Sequence, residues 1–207
     1  MERMSITRGL VEKKLLAKRI EQHFSKFVPV SIVIGDNSPA GFKSVKDFDN
    51  YAQASYNELK DEMERYGKIV QAIADSNAKT RVNICGQEYT VARALEKKKF
   101  YSTVMAQYLI KLKAYFHEKE KEYTKLVRDE KSKEDMEFDT FVGKDKGLKE
   151  EELQVTRKII SERHKVHFLD PLNVRKLIDK MEQEQTDFLM NVDIVLTESN
   201  SKTEIDI

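Results

Sequence analysis

The chain has 207 residues, 40% of them apolar and 35% charged, with only 7 Gly and 3 Pro. That balance is too apolar for a disordered chain and too polar for a tight globule, and it suits long amphipathic helices with wet outer faces. Lys and Arg number 37 and Asp and Glu 36, so the positive excess with which a duplex-binding protein displaces counterions is missing, and nucleic acid is not expected as the main partner.

In chain order, Ile6, Leu10, Ala17, Ile20, Phe24 and Phe27 recur at steps of three and four, broken at Lys13, and predict a first helix with Ser5 or Thr7 as N-cap. Val28 to Ile34 is rich in β-branched residues and stops at Gly35-Asp36-Asn37-Ser38-Pro39-Ala40-Gly41, which reads as a strand, a turn and a short return through Phe42. Ser44 caps a second helix to about Ser76. Its stripe is Val45, Phe48, Ala52, Ser55, Leu59, Tyr66, Ile69 and Ile73, with Glu62 the exception, and the 3-4 spacing is that of a coiled-coil seam. Asn77 is expected to end that helix in a left-handed cap. Residues 80–84, the turn Cys85-Gly86-Gln87-Glu88 and residues 89–91 predict a hairpin.

A third helix starts near Thr90 and meets no breaker before Gly143, on the order of 50 residues or about 75 Å. Its inner side is marked by Ala94, Tyr101, Met105, Tyr108, Leu112, Tyr115, Tyr123 and Leu126, and fraying is expected after Arg128. Residues 143–149, with two glycines, form the best hinge. A short helix then opens on Glu150, Glu151 and Glu152 and reaches about Glu162. Asp170-Pro171 predicts a restart with Asp as N-cap and Pro at the first helical position. The seam continues through Val174, Ile178, Met181, Gln185, Phe188, Val192 and Val195 to about Ser199.

One local motif occurs twice. Residues 76–84 and 199–207 share Ser, Asn, Lys, Thr and the final Ile, with Val against Ile and Asn against Asp between them. Each copy follows a seam-bearing helix, so a helix that leaves as a strand is used twice. Both strands are expected in one small sheet, together with 89–91 and Val28 to Ile34. Asn77, Lys79, Thr80, Arg81, Asn200 and Lys202 are the candidate ligand-binding residues, as polar hooks that cradle an anion at the sheet edge. The plainer alternative is a helix-to-strand connector.

Other chemistry is thin. His164 and His167 lie three apart with only Asp170 near as a further ligand, so no metal site is assigned. His23 and His117 stand alone on helices. Lys97, Lys98 and Lys99 form a basic run that a solvated helix face explains as well as phosphate binding does. Cys85, the single cysteine, has no neighbouring His to activate it. Phosphate-loop, dinucleotide and nucleophile-elbow motifs are absent, and no cofactor is expected. A lone thiol, the lack of a long apolar span and the lack of a signal-peptide core make the cytoplasm the expected address.

Met4-Ser5-Ile6-Thr7-Arg8, the Ser76 to Thr80 segment leading to Tyr89-Thr90-Val91-Ala92 and Lys97, Asp170-Pro171-Leu172, and Ser199 to Thr203 together resemble a group of helical proteins encoded by tailed phages. The resemblance implies one of two jobs. One is an accessory protein that counters host defence by sequestering a host-derived ligand, for instance a nucleotide signal held between subunits, or a host protein. The other is a virion or assembly component.

The expected fold is mainly α with some β: one elongated antiparallel helical bundle with a small sheet at one end. Because the third helix outreaches the second, its surplus apolar positions are expected to be covered by another copy. The chain is thus expected to be a non-enzymatic, self-associating binder.

Overall fold

The computed structural model describes residues 2–144 and 149–207. These form β1 (Arg3–Ser5), α1 (Ile6–Lys26), α2 (Val45–Lys79), β2 (Arg81–Ile84), β3 (Gln87–Thr90) and α3 (Val91–Phe100). A π-helical turn (Tyr101–Met105), α4 (Ala106–Lys144), α5 (Glu150–Arg163), α6 (Val174–Lys202) and β4 (Glu204–Asp206) follow. The fold is mainly α with a little β. The chain divides into two compact units, one made of residues up to Lys99 together with Asp187–Ile207, the other of Phe100–Thr186. The division falls within helices, not at the glycine-bearing connection. Of the expected hinge, Gly143 and Lys144 close α4 and Lys149 caps α5, while 145–148 lie outside the described residues.

In the first unit, α1 and α2 run antiparallel. Gly9 lies against Ile73 and Ile69, Glu12 on Arg65, His23 on Glu62, and the Lys26 carbonyl accepts from the Tyr51 hydroxyl. The Ser5 and Ser44 hydroxyls cap the two helices, accepting from the amides of Arg8 and Asp47, each satisfying a donor that the first turn leaves free. The α2 seam holds at Leu59, Tyr66, Ile69 and Ile73, and its exception, Glu62, sits 3.0 Å from the His23 ring. Of the expected α1 stripe, Ile6 is buried and Ile20 and Phe27 are half-buried, but between them the inward line moves one residue back. Gly9 and Leu16 face inward, whereas Leu10, Ala17 and Phe24 are exposed. The reason is Gly9: with no side chain, it lets Ile205 of β4 close to within 3.1 Å of where a β-carbon would stand. Met4, Ile6, Leu16, Ile69, Ile73 and Ile205 form this core.

A second core in the same unit gathers Val82, Ile84, Tyr89, Val91 and Ala94 with Phe188, Val192 and Leu196 of α6. The Tyr89 and Phe188 rings meet edge-on at 5.8 Å. Cys85 and Gly86 both take positive φ, 51° and 79°, which makes the β2–β3 turn the type whose twist matches a hairpin.

The expected single sheet is two separate two-stranded sheets, β1–β4 and β2–β3, both antiparallel. Residues 28–34 are not a strand: they are exposed and lie outside any regular element, and a strand exists only where another edge accepts its hydrogen bonds. The two sheets are local copies of each other. The Thr80 amide donates to Ser76 O at 2.8 Å and the Thr203 amide to Ser199 O at 2.9 Å. The Val91 amide then donates to Thr80 O and the Ile6 amide to Thr203 O, at 3.0 and 2.9 Å. Thr90 opposes Arg81 as Ser5 opposes Glu204, and each hydroxyl caps the helix that follows. Asn77 is not the left-handed cap. α2 continues to Lys79 and leaves through an extended Thr80, because the strand direction demands extended backbone at once.

In the second unit, α4 runs against α5 and the first part of α6. Arg175 pairs with Glu120 at 2.6 Å, Lys113 pairs with Glu182, and the Gln185 amide donates to the Tyr101 carbonyl at 2.6 Å. That carbonyl belongs to the π-helical turn. No fraying follows Arg128, since α4 continues to Lys144 with Glu134 buried and paired with Lys131 at 3.0 Å. The Asp170-Pro171 restart is also displaced. α6 begins at Val174, after a turn in which Asn173 takes φ 52°. Both Asp170 carboxylate oxygens lie 3.0 Å from the Val174 amide, so Asp170 caps from four residues away rather than from the adjoining position.

Candidate functional site

Residues 164–173 connect α5 to α6 and cross one face of α4 in the second unit. Along α4, Leu112, Tyr115, Phe116, Lys119, Glu122, Tyr123 and Leu126 recur at steps of three and four and therefore share that face. Phe168 drops from the connection between two of these rings, edge-on to Phe116 at 5.9 Å and to Tyr123 at 5.4 Å. Edge-to-face is the arrangement that ring quadrupoles prefer. The result is an open cleft of about 520 Å³, floored by α4 and bordered by Val166, Phe168, Leu169 and Leu172.

Its walls are aromatic and aliphatic, and its polar groups stand at the rim. Lys119 reaches Glu122 at 2.6 Å while lying 5.8 Å from the centre of the Tyr115 ring. The hydrogen bond to Glu122 holds its ammonium above the ordinary lysine range. Beyond the lining, Arg175 lies 5.9 Å from the centre of the Phe116 ring and is paired with Glu120. Asp170 is committed to the α6 amide end. Within the lining, Lys119 and Glu122 cancel and Asp170 is spent on a backbone amide. The space suits a flat, uncharged ring better than a free anion.

The two histidines are drawn apart. His167 lines the cleft. His164 closes α5 and is gripped by two carboxylates of α4: Nδ1 lies 2.7 Å from Glu130 and Nε2 2.8 Å from Glu137. A neutral imidazole has one N–H, so filling both bonds as donor requires the charged ring. These bonds raise the His164 pKa above 6.5 and lower those of Glu130 and Glu137 below 4.5. This is a helix clamp. Among the described residues, no group of three or more His, Cys, Asp or Glu is placed to hold a metal ion.

The residues of the duplicated motif lie at the C-terminal ends of α2 and α6 and at the strands that follow. Thr80 spends its amide and carbonyl on Ser76 and Val91, and its hydroxyl is 3.3 Å from that of Ser76. Arg81 is paired with Glu88 at 2.6 Å, and Lys202 with Glu198 at 3.6 Å. Lys79, like Lys202, lies in the last turn of its helix, where it meets the negative end of the backbone dipole. Asn77 Oδ1 is buried without a hydrogen-bond partner among the described residues, and Asn200 occupies the matching place in the second copy. The buried oxygen calls for a donor, so an anion would have to meet the Nδ2 of the same amide.

The basic run is also engaged. Lys97 donates to the Tyr89 hydroxyl at 2.7 Å and lies over the Tyr89 and Phe188 rings, and Lys98 pairs with Asp193 at 2.6 Å. The Cys85 thiol is exposed and donates to the Asp187 carbonyl at 3.4 Å.

Periodicity names four of the cleft's α4 residues, Leu112, Tyr115, Tyr123 and Leu126, as an inner face. It does not reveal that Phe168 meets them, since an aromatic in a connection has no period. No helix among the described residues is long and apolar enough to cross a membrane. Set against models of known protein families, curated proteins and solved structures, the chain matches none.

Proposed function

We propose that this chain is a non-enzymatic, self-associating binding protein that holds the flat ring of a ligand in the cleft between α4 and Phe168. The cleft carries the reading. Its volume of about 520 Å³ falls within the roughly 300–1,000 Å³ of small-molecule sites, and it pairs apolar walls with a few polar rim groups in the manner of such sites. Apart from His167, the charged rim groups are tied to one another or to a helix end, which favours holding over chemistry. The resemblance to phage-encoded helical proteins adds a ligand class. The base of a host-derived nucleotide signal is a ring of this kind, and withholding it in the host cytoplasm would counter host defence. An aromatic side chain of a host protein would use the same walls. The duplicated motif is the weaker anion site, for the reasons given above.

The alternative, a virion or assembly component, draws on the apolar surface of the second unit. Tyr101, Leu109, Ile160 and Ile178 are buried there, while Ile110, Leu126, Met136, Val155, Ile159 and Leu172, among others, are exposed. So little burial for so much exposed apolar surface supports association with further protein.

The test is a thermal-shift series with purine nucleosides, mono- and cyclic nucleotides and simple indole and phenol rings, followed by calorimetry on the best compound. Binding raises the melting temperature by mass action, and Phe168→Ala is expected to remove most of that rise while leaving helical content intact. If no ring compound stabilises the native chain, or if the rise survives both Phe168→Ala and Tyr123→Ala, the cleft is not the site.

A further inference from the structure

Residues 28–34, Val-Pro-Val-Ser-Ile-Val-Ile, form an uncharged segment outside any helix, strand or turn, entered through an extended Phe27. Val28, Val30, Ile32 and Ile34 are 44%, 77%, 93% and 81% exposed. Alternation at period two places these four on one face of a strand, so a single face carries a continuous β-branched stripe. Among the described residues no backbone N–H or C=O of residues 28–33 has a hydrogen-bond partner. A β-branched stripe and an unpaired backbone edge in one segment are what a second strand covers.

We infer that this segment pairs antiparallel with the same segment of a second copy, centred on Ser31. The sequence is close to a palindrome about that residue: Val30 would face Ile32 of the other copy, Val28 would face Ile34, and Ser31 would face itself. With no charge between 28 and 34, like-charge repulsion does not oppose self-pairing. Pro29 decides which edge is used. The odd-numbered edge lacks the Pro29 donor, whereas the even-numbered edge keeps every donor, with only its Ile34 carbonyl already accepting from the Asn37 amide at 3.3 Å, and proline is tolerated where its edge faces solvent. Pairing through the even edge leaves the proline edge outward, where it blocks a third strand. The association therefore closes at two copies by a twofold axis instead of growing into a fibre.

This interface rests on the self-association in the proposed function but not on the cleft. Light scattering reads the interface without ligand, and ligand-induced melting reads the cleft, so the two ideas fail separately. At tens of micromolar the full chain is expected to have the mass of a dimer. Ile32→Lys, at a fully exposed position, is expected to weaken the dimer at least tenfold with unchanged helical circular dichroism. In a Cys85→Ser background, Ser31→Cys is expected to form a disulfide dimer on oxidation, because the facing Cα atoms of a non-hydrogen-bonded pair lie about 4.5 Å apart. Val30→Cys is expected not to, because its counterparts would stand roughly 8 Å apart. A monomeric native chain overturns the inference together with self-association. A dimer indifferent to Ile32→Lys, or equal cross-linking at positions 30 and 31, overturns the inference alone.

Discussion

At His164 two carboxylates fix the charge of one ring, and the consequence is a pH window. The pKa of His164 is raised above its ordinary 6.5, so its contribution to folding is fully present below 6.5 and is lost as pH rises through the raised value. Glu130 and Glu137 are lowered from 4.5, so theirs is present above 4.5 and is lost as pH falls through the depressed values. The clamp is complete between those limits. Unfolding midpoints of the native chain and His164→Gln, measured across a pH series, are expected to differ most in that interval and to converge under alkaline conditions. A difference that stays constant up to about pH 9 would mean that the second N–H contributes nothing.

At the scale of elements, the meeting of α1, α2 and β4 depends on one absent side chain. Gly9→Ala gains about 1 kcal/mol of helix propensity but places its methyl 3.1 Å from Ile205 Cδ1, so little net change is expected. Gly9→Leu overpacks the same spot against Ile205, Ile73 and Ile69 and is expected to cost roughly 1–3 kcal/mol in chemical denaturation. It should also loosen the β1–β4 pair, read as faster amide exchange at Met4 and Ile205. Helix caps, the α2 seam and the β2–β3 hairpin were legible because hydroxyl caps, 3-4 spacing and a Gly-bearing turn act locally. Residues 28–34 carry a genuine strand pattern, but pattern fixes only which face is apolar, and the partner edge is supplied by tertiary structure. The duplicated motif was legible as a connector. Its extension into Ser5-Ile6 and Thr90-Val91 was not, because those residues enter each copy by strand pairing between segments that in one case lie almost the whole chain apart. The α6 start was misplaced because an Asp-Pro pair serves a turn as well as it serves a helix start.

At the scale of the whole molecule, the first unit has two cores and the second buries little, so the residues that most need another surface are concentrated in Phe100–Thr186 and in 28–34. The cleft of the second unit has one more consequence, and it is optical. The chain contains no tryptophan, and Leu169 borders the cleft while being 87% exposed. Leu169→Trp therefore places the molecule's sole indole at the mouth and leaves every ring of the wall in place. Its emission is expected near that of indole in water when the cleft is empty and shifted to the blue when a ring lies beneath it. The protein would then report occupancy by colour, in purified form or in a lysate cleared of other tryptophan signal.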